Sequence, residues 1–118
     1  MVYLPKLGEF LNILKDSYNS DFKLIIDVKF INEVSTLVNL IDLYSIGNRV
    51  EFISFYREYC EALINYANHY KVGYLDNDLS IQYLYQNGYD FIDFSYNTYL
   101  YNPKLVNEAH ALGLDVYT

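Results

Sequence analysis

The sequence is poor in cysteine and in basic residues. Its 118 residues contain one cysteine, Cys60, which excludes an internal disulfide framework and is weakly typical of a reducing compartment. Lysine and arginine number 8 against 15 aspartates and glutamates, giving a net charge of −7. This balance argues against a nucleic-acid partner, because proteins hold phosphate backbones with basic surfaces.

Membrane and catalytic signatures are also lacking. No run of about 18 apolar residues predicts a transmembrane segment, and no basic region followed by an apolar core opens the chain. We therefore expect a cytoplasmic protein. The residues do not assemble a glycine-rich phosphate loop, a zinc-type cysteine spacing or a serine-histidine-aspartate triad. Cys60 lies among apolar residues of a predicted helix, where a buried, inert thiol is more common than a nucleophile.

The most informative stretch that is present is residues 22–30, FKLIIDVKF. Leu24, Ile25 and Ile26 form an aliphatic run that predicts a strand covered on both faces, as in a parallel sheet. Asp27 and Lys29 follow and are two residues apart, so their side chains should lie on the same face of the strand. Ligands bind at the carboxyl ends of parallel strands. The sequence also allows an edge strand with a solvated acid-base pair.

Helices and strands alternate along the rest of the chain. Apolar periodicity predicts helices over 5–16, 32–44, 56–69, 79–86 and 103–112, and further strands over 49–55, 71–75, 89–94 and 114–117. Gly47 and Gly113 are placed to end helices. Short connections between alternating elements predict parallel pairing through right-handed crossovers. Because the last strand breaks off at Thr118, we expect a piece of a larger sheet.

Two acidic groups lie near predicted strand ends. Asp76-Asn77-Asp78 suggests either a calcium site or, more simply, a turn that caps the following helix. Asp90 and Asp93 could add a second carboxylate to a cation site. Their spacing of three puts them on opposite faces of a regular strand, so at most one is expected to point into a site.

Several stretches together resemble the glycerophosphodiester phosphodiesterase family. Residues 24–29 resemble the family's strand that usually ends in isoleucine-glutamate-isoleucine-lysine, and 50–55 resemble its next strand, which ends in serine-phenylalanine. Residues 71–75 are similar to the following strand. Residues 103–118 resemble the segment that leads into the tryptophan-threonine-valine-asparagine strand, and Leu4-Pro5-Lys6-Leu7 is like the start of the helix before the first of these strands.

The resemblance implies an α/β fold, an incomplete (β/α)8 TIM barrel running from the helix before about strand 4 to the start of strand 8. Residues 1–118 would form a partial domain without the N-terminal strands and most of the last strand. The family, which serves lipid metabolism, hydrolyses glycerophosphodiesters to glycerol 3-phosphate and an alcohol, using a divalent cation (Ca²⁺ or Mg²⁺) and two histidines. By position, Asp27 would be a metal ligand, Lys29 a phosphate-oxygen partner and Phe55 part of the pocket wall.

Three departures bear on activity. Asp27 stands where the family usually has glutamate, and the missing methylene withdraws the carboxylate by about 1.5 Å, which is large for a preorganised site. The family's histidine-arginine-glycine segment, second histidine and two other metal carboxylates would lie upstream of residue 1. His69 and His110 fall on predicted helices outside a barrel and do not replace them. We therefore expect this fragment to be inactive alone.

Two other interpretations stay open. The chain could be a catalytically dead barrel fragment that serves as a binding or self-association module. Its partner would then be a second copy or the missing barrel half. It could instead be an unrelated small open α/β domain that binds an anion through Lys29. A strand order that cannot be laid onto a barrel would select that last interpretation.

Overall fold

The computed structural model describes residues 9, 11–12, 23–29, 34–44, 49–67 and 69–118. Within these ranges the strands are β1 (Leu24–Asp27), β2 (Val50–Ser54), β3 (Lys71–Tyr74), β4 (Phe91–Asp93) and β5 (Asp115–Tyr117). The helices are α1 (Val34–Asp42), α2 (Arg57–Tyr66), α3 (Ile81–Gln86), α4 (Tyr96–Tyr101) and α5 (Lys104–Ala111). The predicted α/β class is confirmed.

The five strands form one parallel sheet in the order β1-β2-β3-β4-β5. Each crossover places the next strand on the same side of the one before, as in a (β/α) barrel. A doubly wound sheet would reverse its strand order partway. The observed order can be laid onto a barrel, so it does not favour the interpretation as an unrelated open domain.

The helices cover one face of the sheet. Phe52, Val72, Tyr74 and Ile92 point to that face and are buried in one cluster with the apolar sides of the helices. Phe91 is also fully buried but lies outside this cluster, because its register partner Gly73 and its own position on β4 put it on the opposite face. The main core therefore sits between the sheet and the helices.

The opposite face is concave. Tyr117 Oη on β5 donates a hydrogen bond to Glu51 Oε1 on β2 at 3.0 Å, although these strands are three apart in the sheet. Three strand spacings measure about 14 Å in a flat sheet, and side chains that stand perpendicular to a flat sheet do not cross that distance. The sheet must therefore curl around this contact, and Glu51 is buried beneath it with Lys23 Nζ 3.4 Å from its carboxylate.

The observed element bounds differ from prediction in three places. Helix α3 begins after Ser80, whose Oγ accepts a hydrogen bond from the Tyr83 N–H at 3.0 Å. The predicted cap at Asp76-Asp78 is wrong, because Asp78 accepts a hydrogen bond from Tyr74 Oη instead. Helix α2 ends at Tyr66, so His69 lies in a turn beyond it. Helix α4 was not predicted.

Other predicted features lie partly or wholly outside the described residues. Only positions 9, 11 and 12 of the predicted helix over 5–16 are described, and they are helical. The predicted cap at Gly47 falls outside the described ranges. At the other end of the chain, Gly113 has φ +86°, the left-handed conformation typical of a residue that follows a helix. The predicted end of α5 is confirmed there.

Candidate functional site

Asp27 and Lys29 lie side by side where β1 ends. Lys29 Nζ is 3.5 Å from Asp27 Oδ2, and both side chains are partly exposed. Val28 between them is held on both sides of its peptide: its N–H donates to the Ile53 carbonyl at 2.8 Å, and its carbonyl accepts from Ser54 Oγ at 2.6 Å. These two bonds to β2 fix the backbone that carries the pair.

The second oxygen of Asp27 is an unusual group. Asp27 Oδ1 is buried and has no hydrogen-bond partner among the described residues. Leaving such an acceptor without a partner costs about 1–3 kcal/mol, and water or a bound ligand would satisfy it. A divalent cation fits this oxygen, since Mg²⁺ and Ca²⁺ take carboxylate oxygens. Within the described ranges, however, no three His, Cys, Asp or Glu side chains are grouped to hold a metal ion.

A cavity of about 430 Å³ opens at the carboxyl ends of β2 to β5. Phe55, the residue after β2, forms part of its wall and is 52% exposed. Asp27 and Lys29 do not line this cavity. The three residues singled out from the sequence therefore lie at the same edge of the sheet, with the ion pair on β1 and Phe55 in the neighbouring cavity wall.

Asp93 also lines the cavity. From the sequence, either Asp90 or Asp93, but not both, was expected to point into a site. The Asp93 carboxylate has no hydrogen-bond or ion-pair partner in the described part of the chain, and burial raises its pKa above the ordinary 3.8. Asp90 instead accepts a hydrogen bond from the Val72 N–H at 2.9 Å. Only one of the two carboxylates thus reaches the cavity, as their spacing along the strand predicted.

The residues considered for calcium form a turn. Asp76 Oδ1 accepts a hydrogen bond from the N–H of Asn77 at 2.8 Å, and Asp78 accepts from Tyr74 Oη at 2.7 Å. Each carboxylate satisfies a nearby protein donor, and the two do not converge with a third acid or histidine among the described residues. The interpretation as a turn agrees with this geometry.

Neither histidine is placed for catalysis at this edge. His69 Nε2 lies 3.1 Å from Asp42 Oδ1, and Asp42 also accepts a hydrogen bond from Tyr70 Oη at 2.5 Å. The Tyr70 hydrogen bond is the main cause that lowers the pKa of Asp42. His110 is exposed in the last turn of α5. His110 is on a helix, as the sequence predicted, whereas His69 lies in the turn after α2 and not on the helix.

Cys60 is buried, as predicted. It is fully buried on α2, and burial, with a smaller contribution from the Glu61 charge, raises the pKa of its thiol to about 12. A thiol this weakly acidic is not a nucleophile near neutral pH.

None of the helices in the described ranges has the length and apolar character needed to cross a membrane.

Comparison with solved structures identifies proteins that share the fold of this chain. No family model and no curated protein matches this sequence. A glycerophosphodiester phosphodiesterase from Parabacteroides distasonis superposes with a TM-score of 0.84 at 23% identity, over 93% of this chain and 48% of that one. The chain has the fold of half a glycerophosphodiester phosphodiesterase. The resemblance predicted from the sequence is confirmed at the level of the fold.

Two proteins described as putative glycerophosphodiester phosphodiesterases match over a similar share of their length. The protein from Galdieria sulphuraria superposes with a TM-score of 0.79 at 22% identity. The match covers 93% of this chain and 48% of the Galdieria protein. The one from Silicibacter pomeroyi has a TM-score of 0.81 at 20% identity, with 93% and 44% covered. This chain therefore spans about half the length of the glycerophosphodiester phosphodiesterases it resembles.

Proposed function

We propose that this chain forms part of a metal-dependent phosphodiesterase that hydrolyses glycerophosphodiesters to glycerol 3-phosphate and an alcohol. The observation that carries the proposal is the Asp27–Lys29 pair, which stands at the carboxyl edge of a sheet with the fold of half a glycerophosphodiester phosphodiesterase. In barrel enzymes this edge carries the chemistry. A carboxylate and an ammonium at that edge suit a cation and a phosphate.

Asp27 would provide one carboxylate ligand for the cation through its partnerless Oδ1. A divalent cation bound there would supply charge stabilisation to a phosphoryl oxygen and orient the diester. Mg²⁺ is commonly held by one or two carboxylates together with water and substrate phosphate, so a single ligand from this chain is compatible with a site completed by other residues.

Lys29 would bind a non-bridging phosphate oxygen. Its side chain is 55% exposed and its Nζ lies 3.5 Å from Asp27 Oδ2, so it can donate to an incoming anion. Hydrogen bonds between an ammonium and a phosphate are charge-assisted and stronger than neutral ones. Because Ser54 and Ile53 hold the backbone at Val28, the base of the Lys29 side chain is held at the end of β1, and the flexible side chain can reach an incoming phosphate. Phe55 would shield one side of the phosphate from water.

The general acid and base would have to come from the rest of the barrel. Among the described residues, His69 is held by Asp42 and His110 is exposed on α5, and neither lines the cavity. We therefore expect the isolated chain to bind the cation and phosphate weakly and to turn over no substrate. Lost proton transfer alone typically removes a factor of about 10²–10⁴ in rate.

A chimera tests this proposal. Residues 1–118 would replace the segment of the Parabacteroides distasonis protein on which they superpose, and hydrolysis of glycerophosphodiesters would be measured with added Mg²⁺ or Ca²⁺. We expect metal-dependent release of glycerol 3-phosphate that a chelator abolishes. Asp27→Asn should abolish it as well, while Asp27→Glu, which restores the longer carboxylate typical of the family, should raise it.

The matched control is Glu108→Gln, which removes one negative charge from the exposed side of α5 and should leave turnover unchanged. A folded chimera, verified by circular dichroism and a cooperative thermal transition, that shows no turnover with either metal would contradict the proposal. Turnover that survives in Asp27→Asn would contradict the role of Asp27.

A second candidate function is a self-association module. On the concave face, Ile25 is 44% and Phe55 is 52% exposed, and within the described residues β1 and β5 each pair with one strand only. Exposed apolar surface and unpaired strand edges both favour association with another sheet. In this alternative the barrel fragment binds a partner and catalyses nothing.

A further inference from the structure

We propose that a second cavity, between α4 and α5, binds a neutral carbohydrate through the exposed ring of Tyr101 and the amide side chains around it. The ligand is neither the substrate of the proposed reaction nor its leaving alcohol, so the inference goes beyond that reaction. The cavity measures about 330 Å³, within the range of about 300–1,000 Å³ for small-molecule sites. Its lining consists of Asn77, Asn97, Thr98, Tyr101, Asn102 and Leu105.

The helical spacing of α4 builds one wall of this cavity. Tyr101 follows Asn97 by four residues and Thr98 by three, so the three side chains lie on one side of the helix. The N–H of Asn102 donates to the Thr98 carbonyl at 3.1 Å, which holds Asn102 at the end of the same wall. Asn77, in the turn after β3, closes the cavity from the other side, with its Nδ2 3.4 Å from Thr98 Oγ1.

Tyr101 presents an aromatic ring to the ligand. The residue is 86% exposed, so its ring does not serve the core. The face of an aromatic ring carries partial negative charge, and the C–H bonds on the flat side of a pyranose carry partial positive charge because oxygen atoms adjoin them. A pyranose can therefore stack on the ring, and the partly buried Leu105 adds an apolar contact beneath it.

The lining of the second cavity contains no charged side chain, although the chain carries a net charge of −7. An anion would find no ammonium or guanidinium there, and a cation would find no carboxylate. The three asparagine amides both donate and accept hydrogen bonds, as the hydroxyl groups of a sugar do. A purely apolar ligand would instead remove water from these amides without replacing its hydrogen bonds. A neutral pyranose suits both the ring and the amides.

The test uses the neutral disaccharides lactose, maltose, cellobiose and mannobiose. Each would be titrated into the full chain while amide ¹H–¹⁵N spectra are recorded. We expect at least one of them to shift the amides of Asn97 and Asn102 to saturation. Sorbitol, an open-chain polyol without a flat ring face, should give no saturable shift. Absence of a saturable shift with all of the sugars, or an equal response to sorbitol, would overturn the inference.

Two variants assign the binding to residues. Tyr101→Ala should weaken sugar binding about fivefold or more, and Asn97→Asp, which keeps the size of the side chain but loses the amide donor, should weaken it as well. The matched control is Tyr85→Ala, which removes another tyrosine that is 49% exposed and does not line the cavity. Unchanged spectra away from the cavity would verify the fold. Binding that persists in Tyr101→Ala, or that falls equally in Tyr85→Ala, would overturn the assignment.

Exposed tyrosines also suit the surface of a membrane, so phosphatidylcholine vesicles provide the competing outcome. We expect the chain to stay in the supernatant when such vesicles are sedimented. Sedimentation with the vesicles that Tyr101→Ala abolishes, without a response to any of the sugars, would assign the ring to a lipid surface and overturn the carbohydrate inference. Neither measurement uses turnover, so the result is independent of the phosphodiesterase test.

Discussion

Two carboxylates at the open edge of the sheet share a property. Asp27 has one oxygen without a hydrogen-bond partner, and Asp93 has no partner for its carboxylate in the described part of the chain. Partly buried acids usually find a donor, because desolvating an unpaired charge is costly. In a folded protein such groups are typical of positions that meet a ligand.

Asp93 gives a prediction about stability and pH. Burial raises its pKa above 3.8 in the folded chain, so the folded state holds this proton more tightly than the unfolded state does. The stability this contributes is present below 3.8 and is lost as pH rises through the folded-state pKa. Asp93→Asn should therefore raise the midpoint of thermal unfolding at pH 7 and raise it less, or not at all, at pH 3.

Differential scanning calorimetry of wild type and Asp93→Asn at both pH values measures this difference. Glu108→Gln provides the matched removal of one negative charge from an exposed position. An Asp93→Asn shift of the same size at pH 3 and pH 7, or a lower midpoint at pH 7, would show that the carboxylate is not destabilised by its surroundings.

The sequence was informative about Asp27 and Lys29 because their relation is local. Residues two apart on a strand share a face, and the structure places their charged groups 3.5 Å apart. The partnerless oxygen of Asp27 was not predictable, since it depends on which neighbours from other strands surround it. Ser54 likewise entered only through the family resemblance, although its hydroxyl holds the Val28 carbonyl between the pair.

Helix α4 could not be predicted from the periodicity of apolar residues. Its sequence, YNTYLY, has no buried residue, so no apolar stripe marks it as a helix. It is held instead by Tyr99, whose Oη donates to the Tyr117 carbonyl at 2.8 Å and accepts from the Phe94 N–H at 3.0 Å. These contacts are tertiary. The longer helices α1, α2 and α5 each bury an apolar side, and the sequence predicted all three.

Strands β3 and β4 meet through one close contact that the sequence could not reveal. A Cβ added at Gly73 would lie 2.1 Å from the ring of Phe91. That ring is fully buried and stacks on Tyr117 with 4.3 Å between centroids. Glycine is therefore required here for space, since the next strand's aromatic ring occupies the position of a side chain.

Gly73→Ala should lower the free energy of unfolding by about 1–3 kcal/mol, the usual range for overpacking a well-packed site. Urea denaturation measures the loss. The same substitution in a Phe91→Leu background should cost clearly less, because the smaller side chain leaves room for the methyl group. Equal costs in the two backgrounds would mean that the ring does not set the requirement.

At the largest scale, the described residues form a curved parallel sheet that helices cover on one face. The sequence predicted its alternating elements and parallel pairing, because connection lengths and apolar runs carry that information. Its curvature was not predictable, since it depends on contacts between distant residues, above all Tyr117 Oη with the buried Glu51 carboxylate. The contact joins β2 to β5 over the concave face.

We expect the isolated chain to self-associate at micromolar concentration. Light scattering coupled to size exclusion would measure its mass, and Ile25→Lys, on the partly exposed concave side of β1, should shift the chain toward monomer. Leu43→Lys changes a more exposed apolar residue after α1 and should not. A well-folded monomer over the whole range, or equal effects of the two variants, would contradict association through the concave side.

We infer that Lys29 binds a phosphate and contributes little to the stability of the fold. Lys29→Ala in the chimera tests this directly. Turnover of a glycerophosphodiester and thermal unfolding would be measured on the same preparation. Its ion pair with Asp27 is partly exposed, so we expect a loss of at most about 1 kcal/mol in stability and about 10²-fold or more in turnover. Turnover that falls no further than stability does would make Lys29 structural and contradict the account.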